Sequence, residues 1–197
     1  SHAFCKRIMG ISQVMDGKDV IEFLREYEFK LSKNHGTGPK AVRSVVQDPY
    51  FDIIERAKTN CHSLKEERLS LDQEQRKGVA SHMLEPIAEA WENFRLSRVP
   101  PVYSFADMIN KFLVDGTPPE LDVLIVDEAQ DLAELNWRLV EKLGQNAGKT
   151  YIAGDDDQAI YEWNGAKPQR FVDYVGEKIV LDQSYRVPSL VHPIAER

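Results

Sequence analysis

The sequence predicts an α/β fold, in which helices flank a parallel sheet and a mostly helical segment interrupts it. Three short apolar runs in the second half of the chain end in acidic or polar residues, and an amphipathic helix separates the first two. Runs with little alternation are typical of strands buried on both faces of a parallel sheet. The predicted strands lie within residues 121–127, 150–155 and 177–186.

Helical spacing and capping signals predict the other elements. Asp48 followed by Pro49 is a helix start, and Ser104 with Asp107 resembles a capping box. Pro86 predicts a kink or break in a long polar helix. The predicted helices cover residues 19–33, 49–57, 72–96, 105–114 and 133–144.

Composition limits the classes of protein. The 197 residues carry a formal net charge of −7, which counts against a generic nucleic-acid binder. Residues 29–47 are locally basic. This stretch is either a solvated helix end and loop or a tip that contacts phosphates. No apolar run reaches the roughly 20 residues of a membrane helix. Cys5 and Cys61 match no metal spacing, and we expect two buried thiols in a reduced, cytosolic compartment.

Residues 148–150, Gly-Lys-Thr, end like a phosphate-binding loop. That loop needs four residues between its two glycines, but only three separate Gly144 from Gly148. A phosphate loop also follows a strand and opens a helix, whereas this stretch follows a predicted helix and opens a predicted strand. The sequence therefore predicts a helix-to-strand turn here, and the 197 residues contain no phosphate loop.

The first predicted strand ends in two carboxylates, Asp127 and Glu128. Side chains at the carboxyl end of a buried strand project into the crevice where α/β proteins bind ligands. Asp127 is suited to holding Mg²⁺, and Glu128 is suited to acting as general base on an attacking water. The alternative is an acidic helix N-terminus favoured by the helix dipole.

The second and third strands end in further candidate groups. The acids 155–157 repel one another unless a cation or solvent compensates, and Gln158 can sense a terminal phosphate or position water. Tyr161 and Trp163 are either core aromatics or a stacking platform for unpaired bases. Arg186 is either a surface arginine or an arginine finger that neutralises transition-state charge.

Taken together, five segments resemble those of the UvrD/Rep/PcrA-type superfamily 1 DNA helicases. "LIVDEAQD" is similar to the family's Walker B motif, "IAGDDDQAIYEWNGA" to its third motif and "LDQSYR" to its fourth. "HAFCKRI" is similar to the segment before the family's inserted domain, and "YSFADMI" to the segment that returns to the core. All five stand in the family's order.

The resemblance implies roles for the nucleotide-site residues, with ATP and Mg²⁺ as cofactors. Asp127 would bind Mg²⁺, Glu128 would activate water and Gln158 would contact the γ-phosphate. Tyr185 would stack on adenine, and Arg186 would contact the γ-phosphate.

The resemblance also implies contacts with single-stranded DNA. Trp163 would stack on a base, and Tyr161 would lie beside it. Asn164 stands where the family usually has arginine, and this departure would weaken the implied DNA contact there. His2 and Phe4 belong to the segment similar to the family's DNA-contacting stretch.

The implied architecture is an incomplete RecA-like parallel sheet interrupted by a helical insertion. Residues 1–20 begin the core, 21–98 form the insertion and 99–197 return to the core. The chain is expected to be an internal piece of a helicase that moves 3′ to 5′, with duplex DNA and the rest of the helicase as further partners. Without the phosphate loop, the piece itself is expected to hydrolyse no ATP.

Two other functions fit the same residues. A metal-dependent nuclease would hold two divalent ions with Asp127, Glu128 and residues 155–157, although no His or Lys accompanies these acids. A non-catalytic module would bind single strands through Tyr161 and Trp163 alone.

Overall fold

The computed structural model describes residues 2–27 and 48–181, and at Asn164 the backbone only. The basic stretch 29–47 and the candidate residues Tyr185 and Arg186 lie outside the described residues, so their predicted roles stay predictions. Among the described residues, no helix is long and apolar enough to cross a membrane.

The described chain is mostly helical, with two small parallel sheets. The helices are α1 (His2–Ile8), α2 (Gly17–Tyr27), α3 (Pro49–Asn60), α4 (Leu64–Ser70), α5 (Ser81–Leu96), α6 (Phe105–Asp115), α7 (Glu134–Gly144) and α8 (Pro168–Val172). The strands are β1 (Gln13–Val14), β2 (Val102–Tyr103), β3 (Leu121–Val126) and β4 (Ala147–Ile152). β1 pairs with β2, and β3 pairs with β4.

The capping signals are confirmed. The Asp48 side chain accepts a hydrogen bond from Tyr50 N at 3.1 Å and begins α3. Ser104 and Asp107 form a reciprocal capping box that begins α6. Helix α4 was not predicted, although its own capping box marks its start at Ser63.

The prediction of one long helix from Asp72 to Leu96 is wrong. Residues 71–80 form turns, and α5 begins only at Ser81. Asp72 and Gln75 exchange side-chain-to-backbone hydrogen bonds at 2.8 and 3.0 Å, and Gly78 has φ +83°. The left-handed glycine is incompatible with a continuous helix. Pro86 lies inside α5 and does not end it.

The parallel pairing of β3 with β4 is confirmed, with Val123 opposite Lys149 and Val126 opposite Ile152. The interpretation of Gly-Lys-Thr as a turn is wrong, because these residues lie within β4. Gly148 runs so close to β3 that a Cβ would lie 2.9 Å from Asp122 O. These three residues are therefore part of the sheet.

Burial of the sheet on both faces was predicted, and this is wrong for the described residues. Leu124 and Val126 pack towards Trp137 of α7, but Ile125 on the other face is 71% exposed and Tyr151 is 55% exposed. No described helix covers that second face.

The third predicted strand is not formed in its described part. Residues 177–181 have no regular structure, and the apolar side chains of 179–181 are exposed. A strand requires a neighbour for its backbone hydrogen bonds, and β3 and β4 pair only with each other in the part of the chain that the structure describes.

Three apolar clusters hold these elements together. The first joins α2, α3 and α5 around Phe23 and Trp91, whose ring centroids lie 5.1 Å apart. The second joins α1, α6 and α7, and the third packs α7 against β3. Helix α7 contributes to two clusters and so connects the sheet to the helices. Cys5 is buried as predicted, but Cys61 is only partly buried.

A cluster of charged side chains joins α3, α5 and α6. Asp107 accepts a hydrogen bond from Lys58 Nζ at 2.7 Å and another from the fully buried Arg95. Burial alone would raise the pKa of the Asp107 carboxyl. The adjacent Lys58 and Arg95 outweigh burial and hold that pKa well below its usual range.

We predict that Asp107→Asn lowers the free energy of unfolding by about 3 kcal/mol at neutral pH, because it leaves Arg95 buried without its anion. The folded-state pKa of Asp107 lies below its unfolded value of 3.8. The carboxylate's contribution is therefore present above that pH and is lost as pH falls towards the folded-state pKa. Urea unfolding across acidic pH should show a shallower loss of stability in Asp107→Asn.

Asp115→Asn is the matched control, since Asp115 is exposed at the end of the same helix and pairs only with Lys111, at 2.9 Å, among its described contacts. Its effect should stay below about 1 kcal/mol. Equal effects of the two substitutions would contradict a special role for the buried cluster.

Candidate nucleotide and DNA site

The tip of β3 carries Asp127 and Glu128 as exposed side chains. Glu128 N donates to Asp127 Oδ1 at 3.0 Å. Glu128 has φ +52°, in the left-handed region that non-glycine residues rarely adopt. Such backbone strain is concentrated at functional sites, where the surrounding structure must hold it in place.

Gln130 supplies that support from the following 3₁₀ turn. Its side chain is only 2% exposed. Gln130 Nε2 donates to Glu128 Oε2 at 2.8 Å, and Gln130 Oε1 accepts from Asp155 N at 3.1 Å. One amide therefore links the carboxylate after β3 to the backbone after β4.

Close backbone contact brings the two strand tips together. Ala153 N donates to Val126 O at 2.8 Å, and Ala129 N donates to Ala153 O at 3.0 Å. A Cβ at Gly154 would lie 2.6 Å from Gln130 Oε1. Glycine at this position is what lets the bridging amide approach β4.

Gln158 stands at the end of the same hydrogen-bonded series. Its amide donates to Asp155 Oδ2, and Asp155 Oδ1 accepts from Asp157 N at 3.2 Å. The structure thus places Glu128 and Gln158 at neighbouring strand tips, connected through Gln130 and Asp155. Both side chains are exposed.

Gln130 was missed as a functional candidate by the sequence analysis. The sequence showed a glutamine two residues after Glu128, but spacing alone does not reveal that its two amide ends reach different strands. That contact depends on the β3–β4 register and on the glycine at 154.

The acidic residues at the strand tips do not form a preformed metal site made of several carboxylates. Among residues 2–27 and 48–181, no group of three or more His, Cys, Asp or Glu could hold a metal ion. The two-ion nuclease interpretation has no observation in its favour. A lone exposed carboxylate such as Asp127 suits Mg²⁺ that keeps several waters and phosphate oxygens as ligands.

The aromatic residues after β4 are not core residues. Trp163 is 64% exposed and Tyr161 is 45% exposed. Tyr161 directly precedes the 3₁₀ turn Glu162–Asn164 and Trp163 lies within it; the turn closes with Gly165 N donating to Glu162 O at 2.9 Å. An exposed indole on a closed turn is suited to stacking on an unpaired base.

His2 and Phe4 lie in α1 and pack on α6. The His2 ring centroid lies 4.7 Å from that of Phe105, and the Phe4 centroid lies 5.4 Å from that of Phe112. These contacts give both rings a packing role, while contact with DNA stays a proposal.

Comparison with known proteins gives a family match over most of the chain. The model of the UvrD/REP helicase N-terminal domain matches residues 6–176. The chain is 44% identical over 71 residues to DNA helicase II of Escherichia coli (strain K12) and 41% identical over 68 residues to ATP-dependent DNA helicase Rep of the same organism. It is 39% identical over 70 residues to a probable DNA helicase II homolog of Mycoplasma capricolum.

Each of these matches covers about a third of this chain, namely 34%, 32% and 33%, and 10% of the relative. The chain thus spans only a small part of the length of the curated relatives that it matches. The family model, in contrast, covers most of the described residues. The chain belongs to the UvrD/Rep helicase family, through the N-terminal domain of that family.

Proposed function

We propose that this chain forms part of the motor of an ATP-dependent DNA helicase, with its ATP-hydrolysing groups at the tips of β3 and β4. The observation that supports this most strongly is the series of hydrogen bonds from Glu128 through Gln130 and Asp155 to Gln158. It joins a candidate base to a candidate phosphate sensor across two strands.

Glu128 acts as the general base in this proposal. Its carboxylate is fixed by Gln130 and is exposed, so a water can reach it. Gln158 contacts the terminal phosphate, exchanging its present bond to Asp155 for one to a phosphate oxygen. Tyr185 and Arg186 complete the nucleotide site by stacking on adenine and neutralising charge on the γ-phosphate.

Asp127 is the residue that would hold Mg²⁺. When bound, the ion would neutralise charge on the phosphate oxygens. The backbone hydrogen bond from Glu128 N orients one oxygen of the Asp127 carboxylate.

Single-stranded DNA is the proposed track, with Trp163 stacking on a base and Tyr161 beside it. Asn164, His2 and Phe4 are proposed as secondary DNA contacts. The direction is 3′ to 5′, and duplex DNA approaches the insertion of residues 21–98 between the core segments 1–20 and 99–197.

We predict that Glu128→Gln in the full-length protein lowers kcat for DNA-stimulated ATP hydrolysis by at least about 100-fold, the usual contribution of a general base. ATP affinity should stay within a few-fold, because the amide keeps the shape of the side chain. Phosphate release and equilibrium nucleotide binding measure the two effects.

Glu120→Gln is the matched control. Glu120 is exposed and directly precedes β3, at the end of the strand opposite to Glu128. Turnover by this variant should equal that of the wild type. Normal turnover by Glu128→Gln would refute the role of Glu128.

Residues 1–197 alone should show no ATP turnover, since they hold no phosphate loop and positioning supplies most of phosphoryl-transfer catalysis.

We predict that Gln130→Ala lowers kcat about tenfold or more, with a smaller effect on the ATP dissociation constant. The substitution frees the Glu128 side chain and leaves Asp155 N without its acceptor. Gln145→Ala, at an exposed position after α7, should leave both constants unchanged. A Gln130→Ala variant with normal kcat would show that the bridge between the strand tips does not position the base.

A further inference from the structure

The turn that carries Trp163 is held by a helix more than a hundred residues earlier in the chain. Arg56 Nη2 of α3 donates to Trp163 O at 2.8 Å. One helical turn later, Asn60 meets Gly165, where a Cβ would lie 1.9 Å from Asn60 Oδ1. Gly165 also has φ +94°, so both its backbone and its neighbour require glycine.

Glu67 of α4 anchors this contact from behind. Its fully buried carboxylate accepts from Arg56 Nε at 3.0 Å and from Asn60 Nδ2 at 2.8 Å, and His62 Nδ1 lies 2.9 Å from it. Burial would raise the pKa of Glu67, but the hydrogen bonds from Asn60, Arg56 and His62 outweigh burial and lower it. Glu67 is therefore a buried anion that fixes the Arg56 guanidinium.

The opposite side of the turn is attached to the β3 site. Ala166 forms an antiparallel bridge with Ala133, and Lys167 N donates to Leu132 O at 2.9 Å. Leu132 directly follows the 3₁₀ turn that contains Gln130. The Trp163 turn thus lies between the strand-tip site and the α3–α4 pair.

We propose that Arg56, anchored by Glu67, is a positioning residue that holds the Trp163 turn in the conformation that presents the indole to single-stranded DNA. The inference rests on the proposed function in so far as Trp163 stacks on DNA. It gives α3 and α4, within the 21–98 segment, a role in DNA binding that requires no DNA contact of their own.

Two simpler roles for Arg56 make different predictions. If Arg56 only adds positive charge near DNA phosphates, its removal weakens binding without changing the turn. If it only stabilises the fold, its removal lowers protection throughout the protein. A positioning role loosens residues 161–166 selectively and acts through Trp163.

Amide hydrogen exchange without DNA tests the contact directly. In Arg56→Ala, amides of residues 161–166 should exchange about tenfold faster, the factor expected for losing a hydrogen bond from a charged donor, while amides of α5 stay protected. Arg98→Ala is the matched control, because it removes an arginine paired with Asp19 and Glu22 at 3.4 and 2.9 Å. Unchanged exchange at 161–166 in Arg56→Ala would overturn the inference.

Binding to an oligothymidylate of about 16 nucleotides then tests whether the effect passes through Trp163. Arg56→Ala should weaken binding about tenfold, and Arg98→Ala should leave it nearly unchanged. The double variant Arg56→Ala with Trp163→Ala should bind no more weakly than Trp163→Ala alone. If the fold-losses in affinity of the two single variants multiply in the double variant, Arg56 acts independently of Trp163. That result would overturn the inference.

Glu67→Gln separates positioning from charge. It removes a negative charge, so a purely electrostatic role predicts equal or tighter DNA binding, whereas loss of the Arg56 anchor predicts weaker binding and faster exchange at 161–166. If this buried substitution prevents folding, Arg56→Ala carries the test.

Trp163→Ala with wild-type DNA affinity would overturn the stacking function, whereas unchanged exchange in Arg56→Ala would overturn the positioning inference alone.

Discussion

The parallel pairing of β3 with β4 determines where the candidate catalytic groups stand. Parallel strands end at the same edge of a sheet, so Glu128 and Asp155 emerge side by side. Gln130 extends this pairing beyond the strands by bonding to both tips. Glu128 has a left-handed backbone conformation beside that amide, and Gly154 leaves the space that the amide occupies.

The same edge continues into the turn that exposes Trp163. Helix α7 packs under the sheet, while Arg56 and Asn60 hold the turn from the helical side. Candidate hydrolytic and DNA-binding groups therefore share one continuous backbone path from Glu128 to Gly165. Lys167 N donates to Leu132 O, which attaches the segment after the Trp163 turn to the segment after Gln130.

Local signals predicted much of this arrangement, because they depend on nearby residues. Asp48 and the Ser104 capping box marked helix starts correctly, and the two apolar runs gave the β3–β4 pair. The long helix from Asp72 failed because a left-handed glycine at 78 overrides helical composition. Gln130 and Arg56 were not predicted as functional, since their partners lie 25 and 107 residues away in sequence and depend on tertiary packing. The exposed face of the sheet could not be predicted from strand composition, because composition does not show which faces are covered.

The tips of β3 and β4 are proposed to bind one triphosphate. A crystal structure of the full-length protein with Mg²⁺ and a non-hydrolysable ATP analogue tests it most directly. We expect the terminal phosphate to lie beside Gln158, with Asp127 towards the metal and Glu128 still bonded to Gln130. A nucleotide bound away from this edge of the sheet would show that these residues do not form the ATP site.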